Sequence, residues 1–311
     1  MSVKITKESY GNFGECLKMA NSICEVYVTV ELGPRVIGYN LVGKENIMFQ
    51  DTDRAIMQDG AEFDRYYGDG SKWYIYGGHR LWVSPEHPVK SYYPDNDEVE
   101  HEIIGNTVIL KNTPQKGNNI QYTITLSLAE NSSKLDVKHE IKNTAQTEQT
   151  FAPWALTVMA PGGTGITPMP KTATGLLANR VLSLWDYSPM NDKRVYWGRD
   201  FITLTHDKNA EHPFKYGINL VDGWAAYLNK GQVFLKKFIH NNDGTYPDYG
   251  VSFESYTCAA FQEVESLGEI KTVKPGDIVS HSESWELFAC DDILTDPTDE
   301  NAIKSIIRGI I

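Results

Sequence analysis

Nine residues, IQYTITLSL (120–128), carry the clearest structural signal in the chain. Apolar and polar side chains alternate along the whole segment, so every second residue falls on one apolar face: Ile120, Tyr122, Ile124, Leu126 and Leu128. Strict alternation of this length predicts an antiparallel β-strand with one buried face. The segments EVYVTVEL (25–32) and KLDVKHEI (134–141) repeat the pattern, which predicts an all-β protein.

Further strands are predicted at positions that turn residues separate from one another: 36–42, 99–111, 201–206, 216–229, 232–240, 250–265 and 278–289. Helical periodicity is scarce, and one candidate is the C-terminal segment, where Asp299 is a possible N-cap before an isoleucine stripe. Residues 51–75 follow no clear pattern. Because no linker or repeat divides the chain, we predict a single domain, 1–311, built from two packed sheets.

Charge and composition limit the possible partners. The 311 residues include 41 acidic and 29 basic ones, for a net charge of −12, and no basic run is present. Nucleic acid and anionic membranes are therefore not expected as partners. The sequence has neither a membrane-spanning apolar run nor an N-terminal signal peptide, so a cytoplasmic location is expected.

Cofactor and metal signatures are missing from the sequence. The four cysteines have no CxxC spacing, and no His, Cys, Asp or Glu set has the spacing of metal ligands. Nucleophile elbows, dinucleotide fingerprints and P-loops are also absent. We therefore predict no cofactor and no metal.

The segment YGGHRLWVSPEHP (76–88) concentrates groups that form binding sites. Its candidates are His79, Arg80, Trp82 and His87. Loops on a rigid scaffold carry function, but turns also use glycine, proline and polar residues for local reasons. The segment alone leaves both interpretations open.

A second dense segment is FQEVESLGEIKTVKPGDIVSHSESWEL (261–287). In an extended strand Glu263 and Glu265 point the same way, with Cα atoms about 6–7 Å apart. Two carboxylates this close raise one pKa where solvent is limited, which suits proton transfer near neutral pH. The alternative is a solvated face on which both glutamates keep ordinary pKa values.

Three further residues are candidates for a binding site. Trp154 is a candidate stacking platform, although a core position beside Pro153 is equally compatible with the sequence. Arg35 follows Gly33-Pro34 at a predicted bend, which leads either to a cleft or to the surface. Asp248 is a polar group near a predicted strand start.

The order of these segments resembles the galactose-mutarotase-like (aldose 1-epimerase) superfamily over roughly residues 14–289. The segments that carry the resemblance are VTVELGPRVIGYNLVGKENIMF, YGGHRLWVSPEHP, LDVKHEIKNTAQTEQTFAPWALTVMAPGG and ESYTCAAFQEVESLGEIKTVKPGDIVSHSESWEL. The resemblance implies a supersandwich of two large twisted antiparallel sheets, with a carbohydrate site on one face.

The resemblance also implies roles for individual residues. Glu265 matches the glutamate that takes the proton of the anomeric hydroxyl, and Arg80 matches an arginine that contacts the sugar. The family places an acidic histidine just after the segment that matches NTAQTEQTFAPW, but here residues 155–157 are Ala, Leu and Thr. The acid must then come from His79 or His87, or the site binds without catalysis.

We therefore expect a carbohydrate-active protein, specifically a mutarotase or epimerase with Glu265 as general base and His79 as general acid. Its partner is a small carbohydrate. Arg80 would hold the sugar's polar groups, and Trp82 or Trp154 would stack on its apolar face. A non-catalytic carbohydrate-binding protein is the first alternative. A lyase or hydrolase on acidic sugars is the second, although retaining hydrolysis needs carboxyls about 5–5.5 Å apart across the substrate.

Overall fold

A computed structural model describes residues 2–290 and 294–311. Its helices are α1 (Ala61–Tyr67) and α2 (Glu300–Ile307), and a short 3-10 helix spans Lys90–Tyr92. Its strands are β1 (Lys4–Ser9), β2 (Glu15–Ala20), β3 (Cys24–Thr29), β4 (Val36–Leu41), β5 (Met57–Gln58), β6 (Trp73–Tyr74), β7 (Gly78–Ser84), β8 (Glu100–Ile104), β9 (Thr107–Lys111), β10 (Ile120–Leu128), β11 (Leu135–Asn143), β12 (Gln149–Met159), β13 (Thr164–Pro168), β14 (Leu182–Leu184), β15 (Val195–Trp197), β16 (Phe201–Thr205), β17 (Phe214–Ile218), β18 (Trp224–Asn229), β19 (Gln232–Phe238), β20 (Phe253–Thr257), β21 (Gln262–Leu267), β22 (Lys271–Val273) and β23 (Ile278–Ala289).

Two large antiparallel sheets contain 21 of the 23 strands in the described residues, as the alternation predicts. The first sheet has the order β1-β2-β3-β4-β7-β12-β21-β20-β17-β14, with β22 paired to β12. The second has the order β15-β16-β13-β18-β19-β23-β11-β10-β9-β8, and β5 pairs with β6 in a separate ribbon. The predicted strand ranges 99–111, 216–229 and 250–265 each contain two strands separated by a turn.

The segment IQYTITLSL forms β10, and its burial alternates residue by residue. It pairs with β11 so that Ile124 lies opposite His139. The apolar face packs in a core between the two sheets, where Ile124 from the second sheet and Leu81 from the first belong to one cluster. This burial is why the alternation predicts the architecture so well.

The C-terminal helix forms where the sequence predicts it. The Asp299 carboxylate caps α2 by accepting from the backbone N–H groups of Asn301 and Ala302. Ile303 is buried against residues of the second sheet, including Phe201. None of the helices within the described ranges is long and apolar enough to cross a membrane.

The central strands of the first sheet are buried on both faces, and the face turned away from the second sheet positions the site. One face joins the core between the sheets. The other carries a separate aromatic cluster that includes Trp73, Trp82, Trp154 and Phe261. Part of its cover comes from the unassigned segment 51–75, which contains α1 and places Phe63 in this cluster.

Candidate functional site

Alternation along β7 divides the YGGHRLW segment between the two faces of the first sheet. Arg80 and Trp82 point outward into a cavity, whereas His79 and Leu81 point toward the second sheet. Gly77 and Gly78, which precede His79, are required by the conformation and close packing of the backbone. Both have positive φ, and a Cβ on Gly77 or Gly78 would lie 2.2 or 2.1 Å from a backbone carbonyl oxygen. The glycines are thus required by close strand packing.

The cavity has a volume of about 450 Å³. Eight of its eighteen lining residues are aromatic: Trp73, Trp82, Tyr92, Trp154, Trp185, Tyr187, Tyr256 and Phe261. Trp82 and Trp154 are cross-strand partners on β7 and β12, and their ring centroids lie 5.6 Å apart in an edge-to-face contact. A volume of this size is typical of small-molecule sites, which range from about 300 to 1,000 Å³.

Arg80 and Glu263 form an ion pair that lines the cavity. The Arg80 Nη2 and Glu263 Oε1 atoms are 3.1 Å apart, and the guanidinium carbon lies 4.2 Å from the centroid of the Trp82 ring. Burial raises the pKa of the Glu263 carboxyl to about 7, against the opposing effect of Arg80, and the negative charge of Glu265 adds to the rise. Glu263 is therefore poised to exchange a proton near neutral pH.

Lys215 forms a second polar centre. Its Nζ lies 2.6 Å from Glu254 Oε2 and 3.1 Å from Glu265 Oε2. The same ammonium lies 4.7 Å from the ring centroid of Trp154 and 4.6 Å from that of Trp185. Burial by itself would lower the pKa of Lys215, but the two carboxyls outweigh it and hold that pKa well above its ordinary value.

The structure brings several of the predicted site residues together. Arg80, Trp82, Trp154 and Glu263 all line the cavity. Glu265 lies on the same face of β21 but is fully buried, and its Oε2 accepts a hydrogen bond of 2.7 Å from Trp154 Nε1. It therefore lies behind the Trp154 and Lys215 side chains that reach the cavity.

His79 does not line the cavity, although the sequence predicted it as the general acid of the site. It is fully buried between the sheets, because residues 79 and 80 of one strand point to opposite faces. Its Nδ1 is 2.8 Å from Thr157 Oγ1, and its Nε2 is 2.7 Å from His139 Nε2. Burial lowers the pKa of His79 well below its ordinary value. His79 is thus not placed to donate a proton in the cavity.

Three other predicted binding residues also lie outside the cavity wall. His87 is exposed, and its Nδ1 accepts the backbone N–H groups of residues 89 and 90 at 3.1 Å. Arg35 is buried in an ion pair with Asp95 at a small neighbouring cavity. Asp248 has φ +49, and its backbone carbonyl accepts the Ser183 hydroxyl. Local turn geometry and core pairing account for these three placements.

Sequence reasoning missed Lys215 and Trp185. Lys215 lies between Phe214 and Tyr216 in β17, so a lysine inside an apolar strand was the available signal. Trp185 directly follows the short strand β14 in a segment without periodicity, and nothing in its surroundings marked it.

A polar network between the sheets contains a candidate cation site. Ligand atoms of His79, His139 and Glu283 lie within 4.8 Å of one another. Each already has a protein partner, however, and the Lys236 ammonium is 2.8 Å from Glu283 Oε1. A cation at this position would face a neighbouring positive charge, so the geometry favours a hydrogen-bonded core network over a metal centre.

The tautomers of this network follow from its acceptors. The His281 carbonyl can only accept, so His139 Nδ1, at 3.2 Å, carries the hydrogen. Neutral His139 then accepts at Nε2 from His79 Nε2–H, and His79 accepts at Nδ1 from the Thr157 hydroxyl. Burial lowers the pKa of His139 to about 3, in keeping with two neutral rings.

Comparison with known proteins supports the fold. No protein-family model matches the sequence, and no similar curated protein is found. Among solved structures, the chain is similar to a TPR-domain-containing protein from Parabacteroides distasonis, with a TM-score of 0.60 and 12% identity. That alignment covers 92% of this chain and 49% of the other, so the chain spans about half of that protein's length.

Two galactose mutarotase-like proteins match along nearly their whole length. For the one from Lactobacillus casei, the TM-score is 0.57 at 11% identity, with 88% of this chain and 100% of that chain covered. For the one from Clostridium acetobutylicum, the TM-score is 0.51 at 11% identity, with 93% and 99% covered. At these identities the similarity establishes the fold alone, and it confirms the predicted galactose-mutarotase-like supersandwich.

Proposed function

We propose that this chain, which has the galactose-mutarotase-like fold, binds a carbohydrate in the cavity of its first sheet and moves a proton at the sugar's anomeric centre. The observation that carries the proposal is the Glu263 carboxyl, which borders an aromatic-walled cavity with a pKa of about 7. Aromatic rings offer flat apolar surfaces to the C–H faces of a sugar. A pKa near neutrality keeps both protonation states available.

Arg80 and Glu263 would act together on the bound sugar. Arg80 Nε and Nη1 have no hydrogen-bond partner within the described part of the chain, so sugar hydroxyls are natural acceptors for them. Ionised Glu263 would accept the proton of the anomeric hydroxyl as the C1–O5 bond breaks. The electron pair of that bond goes to O5, which takes a proton from solvent, and reclosure after rotation about C1–C2 gives the other anomer.

Glu263 is a better candidate for the base than Glu265, the residue that the family resemblance implies. Glu265 is fully buried, and its Oε2 is already held by Trp154 and Lys215. We assign Glu265 the role of positioning Lys215. Of these two carboxyls, only that of Glu263 lines the cavity.

Binding without catalysis is the second candidate, and one observation favours it. No histidine is among the residues that form the cavity wall in the described chain. A site of this kind can hold a sugar through hydrogen bonds without supplying a second proton-transfer group.

Two measurements separate the candidates. Tryptophan fluorescence reports binding, because four tryptophans line the cavity. Polarimetry of freshly dissolved α-glucose, α-galactose and other α-aldoses reports anomer exchange. We expect Glu263→Gln to abolish the acceleration while sugar binding persists. The control Glu130→Gln, at an exposed residue after β10, should match the unaltered protein.

Each contrary result has a distinct meaning. Binding without any acceleration would establish the non-catalytic candidate. Full acceleration by Glu263→Gln would remove Glu263 as the base. Absence of binding for every sugar tested would overturn the proposed function as a whole.

A further inference from the structure

The cavity contains two separate centres of the same design. In each, a cation lies over two tryptophan rings and is paired with glutamate. The Arg80 centre has Trp82 at 4.2 Å and Trp73 at 5.9 Å, measured from Cζ to the ring centroids. The Lys215 centre has Trp154 and Trp185 at 4.7 and 4.6 Å from Nζ.

The two centres meet on one strand. Glu263 pairs with Arg80 and Glu265 with Lys215, and these two glutamates are separated by one residue on β21. Their Cα atoms are therefore about 6–7 Å apart. The edge-to-face contact of Trp82 with Trp154 connects the aromatic walls of the two centres. The result is a continuous surface with two polar anchor points.

We propose that the cavity binds two linked sugar rings, one at each centre, so that its ligand is a disaccharide or the end of a longer glycan. This inference rests on the proposed function and specifies its substrate class. A single ring that binds at one centre would leave the remainder of the 450 Å³ to water. Two rings joined by a glycosidic bond match the paired anchors and the continuous aromatic wall.

The Lys215 centre has a donor to offer a second ring. An ammonium group has three N–H bonds, and Glu254 and Glu265 accept two of them. The third is available on a group that lines the cavity and that four neighbours hold in place. The nearby Tyr187, 37% exposed, adds a hydroxyl at the opening.

The second centre can be altered without disturbing the first. Trp185 and Tyr187 belong to the connection between β14 and β15, whereas Arg80, Trp82 and Glu263 lie on the central strands β7 and β21. Trp185 is only partly buried, so its removal leaves the core between the sheets intact. Trp185→Ala therefore tests the second centre by itself.

The experiment compares matched sugars on the full chain by tryptophan fluorescence and calorimetry. The probes are glucose with maltose and cellobiose, galactose with lactose, and mannose with mannobiose. We expect the best disaccharide to bind at least about tenfold more tightly than its monosaccharide, which corresponds to about 1.4 kcal/mol. Trp185→Ala should remove most of that advantage, because it should weaken binding of the disaccharide far more than binding of the monosaccharide. Tyr249→Ala, which removes an aromatic ring that is 96% exposed and outside the cavity, is the matched control.

The outcomes distinguish this inference from the function beneath it. Equal affinity for monosaccharide and disaccharide would overturn the two-ring ligand while leaving the sugar site in place. The same conclusion follows if Trp185→Ala weakens both classes equally. If no sugar of either class binds, the proposed function itself fails.

Discussion

Arg80 and Glu263 are separated by 183 positions in the chain, yet Arg80 Nη2 lies 3.1 Å from Glu263 Oε1. Their strands, β7 and β21, are not neighbours, because β12 lies between them in the first sheet. The arginine therefore reaches across a strand to meet the carboxyl. This contact joins the YGGHRLW segment to the late acidic strand in one cavity.

The pair makes the pH response of the site testable. Arg80 lowers the pKa of Glu263, whose value of about 7 is the balance between burial and this cation. Arg80→Gln should therefore raise the pKa of Glu263 above 7 and move the basic form to higher pH. We expect the pH midpoint of anomer exchange, and of the Glu263 carboxyl signal in a 13C NMR titration, to rise. An unchanged midpoint would mean that the ion pair does not form in solution.

The sequence contained enough to predict the fold and to single out four side chains that the structure brings to one cavity. Alternation in β10 and β11 reflects burial on one face only, so the pattern survives in the sequence. Central strands of the first sheet are buried on both faces, as in β7, where six of seven residues are buried. Without contrast between faces, the sequence cannot tell whether His79 or Arg80 enters the cavity.

The rest of the site depends on contacts between distant segments. Lys215 meets Glu265 across 50 positions, and the pairing exists only because β20 lies between β17 and β21. The Arg35 side chain is ion-paired with Asp95, which lies in the connection between β7 and β8, where the sequence has no periodic pattern. Such pairings follow from sheet order, which local pattern does not determine.

Lys215 is predicted to be essential for stability. Lys215→Met leaves Glu254 and Glu265 buried without their cation, and breaking a buried ion pair costs about 3–5 kcal/mol. We expect a loss of this order in urea unfolding at pH 7. The loss should shrink at pH 5, because burial already raises the pKa of Glu254 well above its ordinary value and the lysine is the group that lowers it. Without the lysine, less work is needed to protonate that carboxyl at the lower pH.

An exposed ion pair supplies the control for this variant. Lys138 Nζ lies 2.8 Å from Glu140 Oε1 on β11, with 51% of the Lys138 side chain exposed. Lys138→Met should change the free energy of unfolding by less than about 1 kcal/mol at either pH. Similar losses for the two lysine variants would contradict the proposed structural role of Lys215.

The buried histidine network predicts sensitivity to acid. Burial lowers the pKa of His139 to about 3 and that of His281 to about 4, below the ordinary value of 6.5. As the pH falls, these histidines therefore become protonated in the unfolded chain before they do in the folded chain. The free energy of unfolding consequently decreases as the pH falls from 6.5 toward 4. Each histidine contributes about 1.4 kcal/mol per pH unit to this slope.

Replacement of one ring isolates that contribution. His139→Gln should flatten the dependence of the unfolding free energy on pH between 6 and 4 by about 1.4 kcal/mol per unit, whatever its effect at pH 7.5. His212→Gln, at an exposed histidine, should run parallel to the unaltered protein. Identical slopes for the two variants would show that His139 does not remain neutral when the chain folds.

Gly77 is predicted to hold the Arg80 strand in place. Gly77→Ala puts a Cβ 2.2 Å from the Phe49 backbone oxygen at a φ of +103, whereas Gly105→Ala has a φ of +63 and no atom within 4 Å. The control Gly105→Ala should lower the free energy of unfolding by about 1–2 kcal/mol through left-handed backbone strain, and Gly77→Ala by more than about 4 kcal/mol, in thermal or urea unfolding.

The Gly77→Ala substitution should also affect sugar binding. The Phe49 carbonyl accepts from Gly78 N–H, and the Phe49 N–H donates to the Val158 carbonyl, so a shift of Phe49 displaces β7 from β12. Sugar binding should consequently fall in Gly77→Ala but not in Gly105→Ala. Equal unfolding free energies for the two variants would mean that the backbone at Phe49 yields to the added methyl group.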